Sequence, residues 1–242
     1  MENIELLILA TITMVVGSIL QASVGFGFGL VVVPLLLVID SAFVPIPLIF
    51  ASLFLMYHVA YKNRFSLAGH SIVSLILGLA LGAPAGAVVL AVIESNTFIY
   101  LVSAVVLVGL LASFLNVTVK VTPTAQFIAG VTSNVLGTST GVGGVPIALL
   151  YQNESGARIR AVLSTAFFIG SLFSIFALFM TSQITTQSLL LGGYLIPGIF
   201  IGSLLGQKCA SYIDQGHSRA AILLISCASV AFLLYGVLAG NV

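Results

Sequence analysis

Two stretches of this chain could bind a negatively charged ligand without using a charged side chain. The first is Gly137-Thr138-Ser139-Thr140-Gly141-Val142-Gly143-Gly144-Val145-Pro146, inside an apolar run from Ala125 to Tyr151. The second is Ser23-Val24-Gly25-Phe26-Gly27-Phe28-Gly29, which runs on through valines to Pro34. Glycine costs roughly 1 kcal/mol against alanine in a helix interior, so clusters of it within apolar runs predict breaks. A break leaves the first N–H groups of the next half-helix without partners. Together with about half a positive charge of helix dipole, they form an anion site. The returning half-helices are expected to start near Leu30 and Val142–Val145. Pro34 and Pro146 then fall near their first turns, where proline does least harm. Gly25, Gly27, Gly29, Gly137, Gly141, Gly143 and Gly144 let backbone approach a ligand. Thr138, Ser139 and Thr140 can donate hydroxyls, and Gln21, Ser23 and Asn134 are the other polar groups at that depth.

Each of these residues also has a plainer reading. The glycines could serve only to let two hairpins cross tightly. Ser139, Thr140 or Asn134 can satisfy a backbone carbonyl as readily as touch a substrate. Phe26 and Phe28 read as packing residues, with a gate as the sharper alternative. His58 is either a proton-coupling residue or an interfacial histidine beside Tyr57 and Tyr61. Arg160 either attracts an anion toward the second break or anchors its helix at the headgroups by snorkelling. Gly137-Thr-Ser139-Thr-Gly141 also fits the G-x-S-x-G pattern of a hydrolase nucleophile elbow. That elbow needs a strand, a sharp turn and a helix, with histidine and acid brought to the serine, and no such context is visible. Cys209 and Cys227 lack metal-ligand spacing and read as free thiols. No cofactor or metal site is expected, and the chain does not read as an enzyme.

The elements that must carry these stretches follow from composition. Of 242 residues, 60% are hydrophobic and 5% charged, against about 25% charge in a soluble domain. Too little polar surface exists for water, so an all-α polytopic membrane protein is expected, with the lipid bilayer as its principal partner. No basic tract points to nucleic acid. The run Ile4–Ile39 would be about 54 Å long as one helix, too long for a ~30 Å hydrocarbon core, so it must break between Gln21 and Gly29. Spans are expected at 44–61, 71–93 and 98–115. A polar link from Asn116 to Thr124 follows, then the second broken segment at 125–151 and spans at 161–180, 188–206 and 220–238.

Charge decides the topology. If 125–151 crosses once, Arg158, Arg160, Lys208 and Arg219 fall opposite Lys62, Arg64 and Lys120; if it dips in and returns, all 7 basic residues share the cytoplasmic side. The positive-inside rule selects the re-entrant reading. The chain then divides into inverted repeats, 1–118 and 119–242, each a broken re-entrant hairpin plus three transmembrane helices, with both termini outside. Met1-Glu-Asn-Ile-Glu5 carries acid where a secretory signal carries Lys or Arg, so the N-terminus is expected to be retained. Gly78, Gly82 and Gly86, like Gly198, Gly202 and Gly206, recur at the spacing that lets helix backbones approach in lipid. Paired breaks in two halves are the sequence pointer to a secondary-transporter binding site near the bilayer midplane. A passive anion channel, or a non-transporting scaffold or intramembrane hydrolase, are the alternatives.

The order of these motifs resembles the TauE/SafE (TSUP) family of sulfite and organosulfonate exporters over essentially the whole length. The resemblance rests on Gly25–Pro34 and Gly137–Pro146, on Gly141-Val-Gly-Gly-Val-Pro-Ile-Ala-Leu-Leu-Tyr151 followed by Arg160-Ala161, and on Ala60-Tyr-Lys-Asn-Arg64 before Gly82-x-x-x-Gly86. It implies a carrier of small anions, such as sulfite or organosulfonates, in the bacterial inner membrane. Proton or sodium are the candidate coupling ions.

Overall fold

The structure, a computed structural model, describes residues 2–67, 71–114 and 119–213. The expected span 220–238, and Cys227 within it, lie outside these residues, as does part of the polar link between the halves. The described residues form α-helices and short 3-10 turns, with no strand among them. The helices are α1 (Glu2–Val24), α2 (Phe28–Ile39), α3 (Ile46–Asn63), α4 (Val73–Val92) and α5 (Ser95–Phe114). After the link come α6 (Pro123–Thr140), α7 (Gly144–Tyr151), α8 (Gly156–Met180) and α9 (Thr186–Ile213). Stretches of α1, α4, α8 and α9 are each long and apolar enough to cross a membrane. Leu81, Val108, Phe176 and Phe200 are among the large apolar side chains left exposed. A surface of that kind suits lipid rather than water, and the molecule is an all-α polytopic membrane protein.

Both long apolar runs break and fold back. α1 stays helical three residues further into the expected break than its start at Gln21. Ser23 Oγ donates to Ile19 O (2.6 Å) and Gln21 Nε2 to Gly25 O (3.0 Å). Only at Gly25 (φ 88°) and Gly27 (φ 100°) does the backbone enter the left-handed region that favours glycine. α2 then returns along α1: Leu20 packs on Val31, and a Cβ built on Gly17 would sit 3.1 Å from the Phe28 ring. In the second run, Thr122 caps α6 by accepting from Ala125 N (3.2 Å), with Pro123 opening the helix. The α6–α7 hairpin closes through Ser133 Oγ, which donates to Gly143 O, and through Gln126 Nε2, which donates to Tyr151 Oη at 2.8 Å. As one straight helix, residues 126 and 151 would stand ~37 Å apart.

Helix pairing crosses between the halves. α1 packs along α9, and α6 along α4; α3 packs on α8, with α9 beside α3 and α4 beside α8. The two glycine ladders make the closest of these contacts. A Cβ on Gly86 would lie 2.6 Å from Val135 O and 2.7 Å from Thr138 Cβ. A Cβ on Gly206 would lie 2.6 Å from Ile19 O, and one on Gly198 2.5 Å from Thr11 O. Helix backbones therefore meet directly at both ladders, as small residues at that spacing allow.

Two helix bounds differ from expectation for identifiable reasons. α8 begins at Gly156, before Ala161, so Arg158 and Arg160 lie on its first turns, where Arg158 pairs with Glu154 at 2.9 Å. α9 continues past Gly206 to Ile213, and none of residues 207–213 is a glycine or proline that would stop it.

A cavity where two broken helices meet

The two breaks begin alike. Gly25 N–H donates to Gln21 O (2.8 Å) and Gly141 N–H to Gly137 O (2.9 Å), and both glycines have positive φ (88° and 78°). Geometry thus pairs Gly25 with Gly141, one helical turn beyond Gly137, onto which the equal spacing of Gly25 to Pro34 and of Gly137 to Pro146 would place it. At the second break Thr140 Oγ1 donates to Leu136 O (2.7 Å) and accepts from Val142 N (3.1 Å), which holds the turn.

The half-helices that follow start on glycine without side-chain caps, α2 on Gly27 and α7 on Gly143. In α2 the first helical bond runs from Val31 N–H to Gly27 O (3.1 Å). The N–H groups of Phe28, Gly29 and Leu30 consequently have no partner within the helix and open toward the break. In α7 the first-turn donors are Gly144 and Val145, because Pro146 has none. Pro34 lies in the second turn of α2, deeper than expected, and frees the Leu30 carbonyl. The start of α2 touches the second break: a Cβ on Gly29 would sit 2.8 Å from Gly141 O and 3.3 Å from Val142 Cα.

Between them lies a cavity of about 80 Å³, which is several times what one water needs. Among the expected residues, Gln21, Gly27, Gly29, Asn134, Gly137, Gly141, Gly143 and Gly144 line it. The others surround it without lining it. Ser23 Oγ is bonded within α1; Ser139 Oγ donates to Val135 O (2.8 Å); Thr138 Oγ1 meets Ser174 Oγ at 2.6 Å; Thr140 holds the turn; Gly25 lies against Arg160. Ser139 also sits on a helix, with no strand before it as a hydrolase elbow requires.

The lining also contains residues that sequence reasoning passed over. Ser52 of α3 and Ser171 of α8 contribute a hydroxyl from each of the two central helices. Ser133 and Ser174 join them, with Phe167 and Met56 as apolar wall; Phe26 and Phe28, which the sequence offers as packing residues or a gate, line it too. A Cβ on Gly144 would lie 3.2 Å from the Phe26 ring and 3.3 Å from the Phe167 ring, so two aromatic rings close over the second break. The available signal was a serine within a long apolar helix, alone in α3 at Ser52 and one of three in α8 at Ser171.

Most side-chain donors around the cavity are already engaged. Asn134 Nδ2 donates to Leu79 O (2.8 Å) and Gly170 O (3.3 Å), tying α6 to α4 and α8. Ser52 Oγ donates to Ile49 O (2.8 Å) and Ser174 Oγ to Gly170 O (2.9 Å). Donors for a ligand therefore come chiefly from the main chain of the two helix starts. His58 and Arg160 are not in the lining. Near His58, Tyr57 and Tyr61 stack with centroids 6.1 Å apart, and the Arg64 guanidinium sits 4.1 Å over the Tyr61 ring. Arg160 is only 6% exposed and donates from Nη1 to Ser23 O (2.9 Å), so it does not snorkel. Among the described residues no cluster of His, Cys, Asp or Glu could hold a metal ion.

A family model described as "Sulfite exporter TauE/SafE" matches residues 9–233. No curated protein and no solved structure matches the chain.

Proposed function

Because the chain belongs to the sulfite exporter TauE/SafE family, a family of membrane transporters, we propose that it is a secondary carrier of small anions, sulfite or organosulfonates. The observation that carries this reading is the shared cavity at the two breaks, with the uncapped start of α2 against Gly141 and Val142. An anion there would take the N–H groups of Phe28, Gly29 and Leu30 from one side and of Gly144 and Val145 from the other. The positive ends of the two half-helices would share its charge, and the apolar wall would strengthen those bonds by excluding water.

In this reading residues 1–118 and 119–242 are inverted repeats. The matching turns at Gly25 and Gly141 support it, as do the mirrored pairings of α1 with α9 and of α6 with α4. Alternating access would expose the cavity first to one side of the bacterial inner membrane and then to the other. Both chain termini would face outward. His58 is the coupling candidate if a proton is the driving ion; sodium is the alternative.

The test is flux of labelled sulfite and of small sulfonates into proteoliposomes of the purified protein. Saturable uptake that accelerates with unlabelled anion on the opposite side is expected. Uptake without such acceleration and without coupling to a proton or sodium gradient would leave a passive anion channel. No flux of any sulfur oxyanion, sulfonate or carboxylate would leave a scaffold.

A further inference from the structure

Phe26 is the middle residue of the short link between α1 and α2, and both its neighbours, Gly25 (φ 88°) and Gly27 (φ 100°), have left-handed backbone. It lines the cavity and is only half-buried. Phe28 lines the cavity too, but it is 5% exposed and already part of α2, with its ring 3.1 Å from a Cβ built on Gly17 of α1. Of the two aromatic residues at this break, Phe28 is held by helix packing, whereas Phe26 stands between two glycines.

The Phe26 ring covers the start of α7. A Cβ on Gly144 would lie 3.2 Å from it and 3.3 Å from the ring of Phe167, a half-buried residue of α8. Which end of the cavity the rings occupy follows from the central helices. α3 and α8 run antiparallel: Tyr57 packs on Phe168 with ring centroids 5.6 Å apart, and Ile49 shares a core cluster with Ala177 and Leu178. Met56 and Phe167 therefore lie at the end of the cavity toward Lys62, Arg158 and Arg160. Phe26 is at that end too, since a Cβ on the adjacent Gly25 would sit 2.8 Å from Arg160 Cα.

The opposite end is closed differently. Leu48 and Ile49 are buried there, and Ser174 Oγ meets Thr138 Oγ1 at 2.6 Å. One end is held by aliphatic packing and a hydrogen bond between helices. The other is covered by two half-buried rings, one of them on a glycine-flanked link.

We propose that Phe26 is the gate through which the cavity opens toward the basic end of the molecule, with Phe167 as the fixed surface against which its ring shuts. Glycine on either side lets the link change conformation while α1, α2 and α8 stay in place. Swung away, the ring uncovers the first-turn donors of α7 on that side alone; shut, it keeps water from them.

The test uses the chain with Cys209→Ser and Cys227→Ser, which removes its 2 cysteines, and with Ser171→Cys as a reporter in the cavity lining. Its rate of modification by a charged, impermeant thiosulfonate is measured from each face of sealed vesicles. The basic face is the one from which Lys62→Cys reacts. Phe26→Ala and Phe167→Ala, each checked for insertion, are expected to raise the basic-face rate roughly tenfold, equal to about 1.4 kcal/mol in the open–closed equilibrium. The rate from the other face should stay as in the parent. An unchanged basic-face rate in Phe26→Ala overturns the proposal. So does equal acceleration from both faces, the mark of loosened packing. If Phe26→Ala fails to insert, Phe167→Ala decides by the same two readings. The inference rests on the transport reading above, yet labelling reads access and not flux: absence of sulfite flux in wild type would end the transport reading alone.

Discussion

At Gly141 the backbone adopts φ 78°, and a side chain would press on Val33 and Leu48. Gly143 is tighter still, since its Cβ would lie 2.8 Å from Gly137 Cα. Gly141→Leu and Gly143→Leu should therefore abolish sulfite flux while leaving the protein inserted; flux assays alongside membrane fractionation check this, and normal transport in either variant would contradict a backbone site. Asn134 predicts a different loss. Asn134→Leu removes the two amide bonds that tie α6 to Leu79 O on α4 and to Gly170 O on α8, each worth about 0.5–1.5 kcal/mol. The variant should unfold at a clearly lower temperature in detergent, and an unchanged midpoint would mean the amide bonds contribute little. At this scale the sequence was only partly readable. Glycines with positive φ announce a break, because no other residue sits there cheaply. Which residues face the cavity is decided by helix phase: Ser139 and Thr140 turn back to Val135 and Leu136 away from it, whereas Ser52 and Ser171 line it from helices whose sequence shows no interruption, although Ser52 too bonds back to Ile49 O. Arg160 was named from the sequence with its role left between two readings, since a basic residue after a polar loop reads as an anchor until its burial is seen.

The glycine ladders set how closely the helices approach. Gly82 faces Val131 O and Gly202 faces Val15 O, each with no room for a methyl group. Gly82→Leu should push α4 off α6, and Gly202→Leu should push α9 off α1. Forcing such bulk into a tight contact costs about 1–3 kcal/mol or more, so thermal unfolding of each variant should fall well below wild type. Equal midpoints would show that the backbones can separate without penalty. The spacing of these glycines was plain in the sequence, and so was their role as contact points. Their partners were not, because a ladder of small residues says that something comes close without saying which helix. The helix bounds were readable to within a turn except at the start of α8, where helix reaches back into the polar loop to Gly156, and at the end of α9, where no breaker follows Gly206 before Ile213.

The orientation of the whole molecule can be checked with one native thiol. Cys209 is exposed near the end of α9, beside Lys208. With Cys227→Ser to remove the other thiol, Cys209 should react with an impermeant maleimide only after the membrane is opened. Labelling of intact cells would reverse the layout expected from the basic residues. The glycine ladders have a further consequence for movement. α1 lies in the first half of the chain yet is clamped along α9 in the second, and α6 is clamped in the same way along α4. If the cavity opens alternately to the two sides, the two halves cannot swing past each other as separate blocks. The pieces that move must be mosaics, one carrying α1 with α9 and the other α6 with α4, each assembled from distant parts of the polypeptide. Cutting the chain in the link between the halves would then leave two fragments that each lack a face the other provides, and neither should hold its shape until they recombine.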